Sequence, residues 1–230
     1  MKKGRCLGLV GGLGVGAAIH YYRSLAKAHT ERGYTLDIVM VHAETEQVFA
    51  YVQAGDRDGL ANYLAGFIDR LEAAGAEFAA IPAVTPHCCI RELVEISPLP
   101  ILNIFDPLIR ELASQRAKRV AVLGTRFVIE SKLFGLARDV EICLQPPNEI
   151  ESIHATYTEL AQRGAGTDKQ HRSLTDLAQK MRQRDNVDAI ILAGTDLALL
   201  FNHGNTEFPA IDCAVLHIAE IANSMTNRAA

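Results

Sequence analysis

The sequence predicts an α/β fold made of mainly parallel sheets and arranged as two similar halves. Short apolar runs alternate with stretches of helical periodicity along all 230 residues, the pattern of strands joined by right-handed helical crossovers. The two halves share a pattern: LGLVGG at Leu7–Gly12 pairs with VAVLGT at Val120–Thr125, and AAIPAVT at Ala79–Thr85 with AIILAGT at Ala189–Thr195. The spacing is nearly equal, 73 residues from Val10 to Ala83 and 71 from Leu123 to Gly194. The composition agrees. Hydrophobic residues make up 49% of the chain but aromatics only 6%, with no Trp, so aliphatic side chains must build the core, as in helices packed on a parallel sheet.

The elements follow in order. Arg5–Val10 reads as a buried first strand, leading through Gly11-Gly12-Leu13-Gly14 into a helix near Val15–Glu31. Asp37–His42 is the second strand. Gly59–Ala74 has helical spacing, with Leu60, Leu64, Phe67, Ile68 and Leu71 on one face. Phe78–Pro82 and Ile101–Ile104 are further strands, the latter preceded by Pro98 and Pro100. Arg119–Leu123 opens the second series, followed by Glu141–Leu144. Helices are expected near Glu149–Arg163 and Ser173–Arg184, split by Gly164-Ala165-Gly166. Ala189–Leu192 is a very apolar strand, and Ala214–Met225 reads as a closing helix.

Charge and composition exclude several classes. The 23 basic and 27 acidic residues leave a formal charge of −4, and no stretch is rich enough in Lys and Arg to bind nucleic acid. No run approaches the roughly 18 apolar residues of a membrane span. The five cysteines, Cys6, Cys88, Cys89, Cys143 and Cys213, fit no zinc spacing and read as buried small hydrophobes in a reducing compartment. No metal, cofactor, nucleic acid or membrane is expected, and the expected location is the cytoplasm.

Ligands of open parallel sheets bind beyond the carboxyl ends of the strands. Four segments fall there: Gly11–Gly14, Ala83–His87, Gly124–Arg126 and Ala193–Asp196. All combine small residues with hydroxyls or free N–H groups at helix starts, an arrangement that suits a carboxylate or phosphate. Gly11, Gly12, Val84, Thr85, Thr125 and Thr195 are the candidate ligand-binding residues. The glycine turn is neither a dinucleotide fingerprint nor a P-loop.

LGLVGGLG…YYRSL, AAIPAVTPH, VAVLGTRFVIES and AIILAGTDLALL, with AGAEF, LPILNI and IHATYTEL between them, resemble the aspartate/glutamate racemase family over almost the whole chain. The resemblance implies two pseudo-symmetric three-layer α/β/α domains with an active-site cleft between them, here 1–98 plus 208–230 and 99–207. It also implies a homodimer, a small carboxylate or amino-acid-like ligand, and cofactor-independent isomerase chemistry. In the family two cysteine thiols face opposite sides of the substrate Cα; one removes the proton and the other returns it.

The matching positions here are Ala83, in Ala83-Val84-Thr85-Pro86-His87, and Gly194, in Ala193-Gly194-Thr195-Asp196. Neither carries a proton, so the resemblance implies a family fold without its two-thiol pair. Ala43-Glu44-Thr45-Glu46 replaces the polar or basic residues often found after the second strand. Facing the ligand, these acids would repel a second carboxylate, which disfavours aspartate and glutamate and favours a monocarboxylate or a compound with an apolar or cationic tail. His87 and Asp196 are the weak catalytic candidates. A structural role competes for His87, and capping of a helix over Asp196–Phe201 competes for Asp196. Cys88 and Cys89 point to no replacement thiol, and His42, His203 and Glu46 are candidate pocket residues for which surface or loop roles compete and are favoured. Two functions remain open: a diverged racemase-like isomerase, decarboxylase or lyase, and a non-catalytic sensor of small carboxylates.

Overall fold

The computed structural model describes residues 2–227. The chain divides into two compact units, Met1–Ile104 with His217–Ala230, and Phe105–Leu216.

The first unit carries strands β1 (Lys2–Lys3), β2 (Leu7–Gly11), β3 (Tyr34–Thr35), β4 (Ile38–His42), β5 (Phe78–Ala80) and β6 (Ile101–Leu102). β1 and β3 form a small parallel pair. The main sheet is all parallel, in the order β4-β2-β5-β6. Its core strands are continuously buried, as expected of strands covered on both faces. Helix α1 (Val15–Arg32) buries Ala17, Ala18, Tyr21, Leu25 and His29, one stripe at helical spacing, and ends at Gly33 in the left-handed conformation. α2 (Thr45–Ala54) buries only Val48, whereas α3 (Arg57–Ala73) buries Leu60, Leu64, Ile68 and Leu71. Asp56 starts α3 by accepting from the Gly59 N–H at 2.8 Å. α4 (Ile90–Ile96) connects β5 to β6.

The second unit repeats the plan. α5 (Phe105–Ser114) leads into β7 (Arg119–Gly124), then α6 (Arg126–Glu130), β8 (Glu141–Ile142), α7 (Pro147–Arg163), α8 (Asp168–Asp185), β9 (Ala189–Ala193) and β10 (Ala210–Asp212). The sheet order β8-β7-β9-β10 is that of the first unit, strand for strand, and every pair is parallel. The repeated motifs thus lie on β2 and β7, and on β5 and β9, which are adjacent central strands in each sheet. A capping box of Thr167 and Gln170 starts α8 five residues before the expected Ser173. α9 (Cys213–Thr226) closes the chain, and its residues from His217 onward count with the first unit. Among the described residues no helix is long and apolar enough to cross a membrane.

Candidate functional site

In the first unit the parallel register puts Gly11-Gly12 and the segment from Ala83 to His87 beyond the carboxyl ends of neighbouring strands. The glycine turn is fixed from the side of β4. Ala43 N–H donates to the Gly11 carbonyl at 2.9 Å, and the Thr45 hydroxyl donates to the Gly12 carbonyl at 2.9 Å. Gly12 has φ +91°, and a Cβ there would strike the Ala43 backbone, with N at 2.9 Å and C at 3.1 Å. Only glycine fits.

After β5, Ala83, Val84 and Thr85 are buried, and the chain makes a 3-10 turn over Thr85–Cys89. His87 is 1% exposed. Its Nδ1 lies 2.8 Å from the Ala83 carbonyl, which can only accept, so Nδ1 carries the hydrogen. Nε2 accepts from the Ile104 N–H at 3.4 Å. His217 on α9 is fixed by the same logic. Its Nε2 donates to the Leu102 carbonyl at 2.9 Å, and its Nδ1 accepts from the Tyr21 hydroxyl at 3.1 Å. The two imidazole centroids are 6.4 Å apart. Burial pushes His87 down to about 4. Burial, with His87 beside it, pushes His217 down to about 3. Both rings are neutral at pH 7 and tie α1, the Ala83 turn, the end of β6 and α9 together.

The neighbouring thiols are also kept protonated. Burial raises Cys88 to about 11 and Cys89 to about 12, and the Cys89 thiol donates to the Pro86 carbonyl at 3.2 Å. All five cysteines are free and buried.

In the second unit Gly124 pairs in register with Ala193, so Thr125 and Gly194 leave adjacent strands together. Thr125 is buried and caps α6, its hydroxyl oxygen accepting from the Val128 N–H at 3.3 Å. Gly194 has extended backbone, φ −150°, which any residue adopts. Its constraint is space. A Cβ at Gly194 would strike the ring of Tyr157 on α7, with Cζ at 2.8 Å and Cδ2 at 3.0 Å.

The Tyr157 hydroxyl donates to Asp196 Oδ2 at 3.2 Å. Thr195 and Asp196 are each 1% exposed, while Tyr157 is half-buried. Burial first, then the Asp196 carboxylate, hold the phenol well above its ordinary range, so it stays protonated. The helix expected over Asp196–Phe201 is instead a 3-10 turn over Thr195–Leu199, and Gly194 holds its cap position without a side-chain bond. Asp196 meets the phenol and does not cap a helix there.

One turn before Tyr157 on the same helix face, His154 Nδ1 accepts from the Arg126 N–H at 3.4 Å. Its hydrogen therefore sits on Nε2. Burial, then the Arg126 charge, lower its pKa. The Arg126 guanidinium pairs with Glu151.

Sequence reasoning thus missed Tyr157, His154, Tyr21 and His217, and placed Arg126 at a strand end without its partners. The spacing of His154 and Tyr157 within IHATYTEL was the available signal, because residues three apart share a helix face. The other candidates lie apart: His42, Glu46 and His203 are exposed, and the His42 imidazole sits 3.8 Å from the exposed Glu44 carboxylate. Among the described residues no group of three or more His, Cys, Asp or Glu could hold a metal ion.

Small residues and hydroxyls thus lie at the carboxyl ends of adjacent parallel strands in each unit of an α/β protein. The chain belongs to the Asp/Glu/hydantoin racemase family, whose model matches residues 10–221. It is 30% identical over 149 residues to the broad specificity amino-acid racemase RacX of Bacillus subtilis (strain 168), a match spanning 62% of each chain. An aspartate racemase homologue from Pyrococcus horikoshii OT3 superposes with a TM-score of 0.76 at 22% identity, over 97% of this chain and all of the other. Arylmalonate decarboxylase shares the fold more distantly, with a TM-score of 0.57 at 12% identity over 97% of this chain and 94% of the other.

Proposed function

We propose that this protein binds a small carboxylate compound at the strand ends and is a diverged, cofactor-independent isomerase of the family that works without a two-cysteine proton pair. The observation that carries this reading is the pairing of retained turns with absent thiols. Gly11, Gly12, Val84, Thr85, Thr125 and Thr195 supply the N–H groups and hydroxyls at the strand ends, while Ala83 and Gly194, where the resemblance places the family's cysteines, carry no thiol. The nearest thiols, Cys88 and Cys89, are held protonated by burial and are unsuited to replace them.

His87 is better suited to fixing the Ala83 turn than to moving protons, because backbone engages both of its ring nitrogens. The racemase name of the curated relative supports isomerase chemistry, and the family pattern supports a homodimer. The exposed Glu44 and Glu46 next to the first-unit turn favour a monocarboxylate, or a compound with a cationic tail, over aspartate and glutamate.

The test is a panel of amino and hydroxy acids, read by thermal shift for binding and by optical rotation for turnover. Stabilisation by monocarboxylates with chemical turnover supports the reading. Stabilisation without any turnover supports a sensor instead. Racemisation at rates typical of two-thiol enzymes overturns the absence of a two-sided proton pair.

A further inference from the structure

α7 packs against the 3-10 turn that follows β9 and delivers Tyr157 to the end of that strand. The ring fills the volume that any side chain at position 194 would need. A phenylalanine would fill that volume equally well. The phenol adds a hydroxyl aimed at Asp196, a carboxyl group 1% exposed. Tyr157 is half-buried as a residue, and its hydroxyl and Asp196 lie together beside the end of β9.

We propose that Tyr157 and Asp196 form a one-sided acid/base pair in place of a proton-carrying side chain at Gly194, an inference that rests on the carboxylate-binding function proposed above. In the forward step the Tyr157 oxygen takes the α-proton of the bound carboxylate compound while its own proton passes to Asp196 Oδ2. The electron pair of the broken Cα–H bond stays on the substrate as an enediolate. In reverse, Tyr157 returns a hydrogen to the same face of the carbon and recovers its proton from Asp196. No redox partner is needed, and charge is conserved. The Asp196 carboxylate is the net proton acceptor, and the phenol, which stays protonated throughout, relays the proton. With Ala83 as well as Gly194 carrying no proton, hydrogen returns to the face it left.

The signature is deuterium exchange at the α-carbon with retention of configuration. The full-length protein is incubated in D₂O with L-alanine, L-leucine, L-lysine and L-lactate. Loss of the α-proton NMR signal, chiral chromatography and thermal shift are followed for wild type, Tyr157→Phe and Asp196→Asn. Tyr157→Phe keeps the ring that fills the Gly194 space, and its urea midpoint reports whether the fold is retained.

The expected result is exchange with retention in wild type, slowed roughly 100-fold in Tyr157→Phe and about tenfold in Asp196→Asn, with the thermal shift by the same probe unchanged. Exchange in Tyr157→Phe within about twofold of wild type, or exchange matched by racemisation, overturns the pair and leaves carboxylate binding standing. A thermal shift without exchange in wild type also overturns the pair alone. Neither shift nor exchange with any of the four compounds removes the carboxylate reading and the pair with it.

Discussion

The two units share a strand order yet solve the same local problem differently. Where β2 ends, Gly12 takes a positive φ and presses against the Ala43 backbone; at the matching end of β7, Thr125 has ordinary extended angles and caps a helix. Where β5 ends, Ala83 is held by a neutral, buried histidine whose Nδ1 donates to the Ala83 carbonyl and whose Nε2 accepts from the Ile104 N–H. At the matching end of β9, Gly194 leaves a space that a phenol fills, and the phenol bonds a buried carboxylate. One strand end is fastened by an imidazole on backbone groups, and the other sets a phenol against a carboxyl group. A shared backbone plan therefore does not carry shared chemistry; the residues that pack onto the strand ends decide it.

The largest expected difference is in acid. His87 and His217 are buried neutral with folded pKa values of about 4 and about 3, below the ordinary 6.5. Their contribution is complete above pH 6.5 and is lost as pH falls from there toward the folded values. At pH 5 each costs on the order of 2 kcal/mol. In the second unit, burial works to raise Glu149, but hydrogen bonds from Lys180 and Arg184 outweigh it and leave the pKa lowered, so that contribution is lost only below about pH 4.5. His154 shifts in the same direction as the first-unit histidines but is only half-buried. Hydrogen exchange resolved by segment, run from pH 7 to 5, should show first-unit amides losing protection first. Equal loss in both units would break the contrast.

A smaller effect separates the two glycine-turn equivalents. Gly12→Ala combines a left-handed backbone with a collision against main chain and should cost about 3 kcal/mol. Thr125→Ala loses one cap and should cost about 1 kcal/mol. Urea midpoints of the two variants check the ratio, and similar costs would mean that the two turns are equally demanding.

The smallest effect probes the filled space. Gly194→Ala should cost roughly 1–2 kcal/mol, because the Tyr157 ring must shift. In a Tyr157→Ala background the same change should cost almost nothing, giving a coupling of similar size. Additive costs would show that the ring does not occupy that space.

The parallel-sheet architecture was legible because repeated apolar runs, strand-end glycines and helix stripes such as Leu60, Leu64, Ile68 and Leu71 are local patterns. α2 was missed because it buries only Val48 and so shows no stripe. α5 was missed because Pro107 looks like punctuation, although proline is tolerated in a first helical turn. β10 is three residues long and is defined by pairing with β9, which no local pattern encodes. The strand-end turns could be placed from sequence because small residues and hydroxyls directly follow the apolar runs. Tyr157 could not be placed against Gly194 from sequence, since the contact joins residues brought together only by packing α7 on the turn after β9.

The position of α9 bears on how the protein is made. The second unit is one uninterrupted stretch, whereas the first needs residues from His217 onward. The Arg5 N–H donates to the Met225 carbonyl at 2.9 Å, and His217 reaches the Leu102 carbonyl across 115 residues of sequence. On the ribosome the second unit thus has all of its residues before the first unit has its last helix. The first unit has all of its strands early but must wait for α9 while the second is made, and the His87–His217 pair then joins that late helix to the rest.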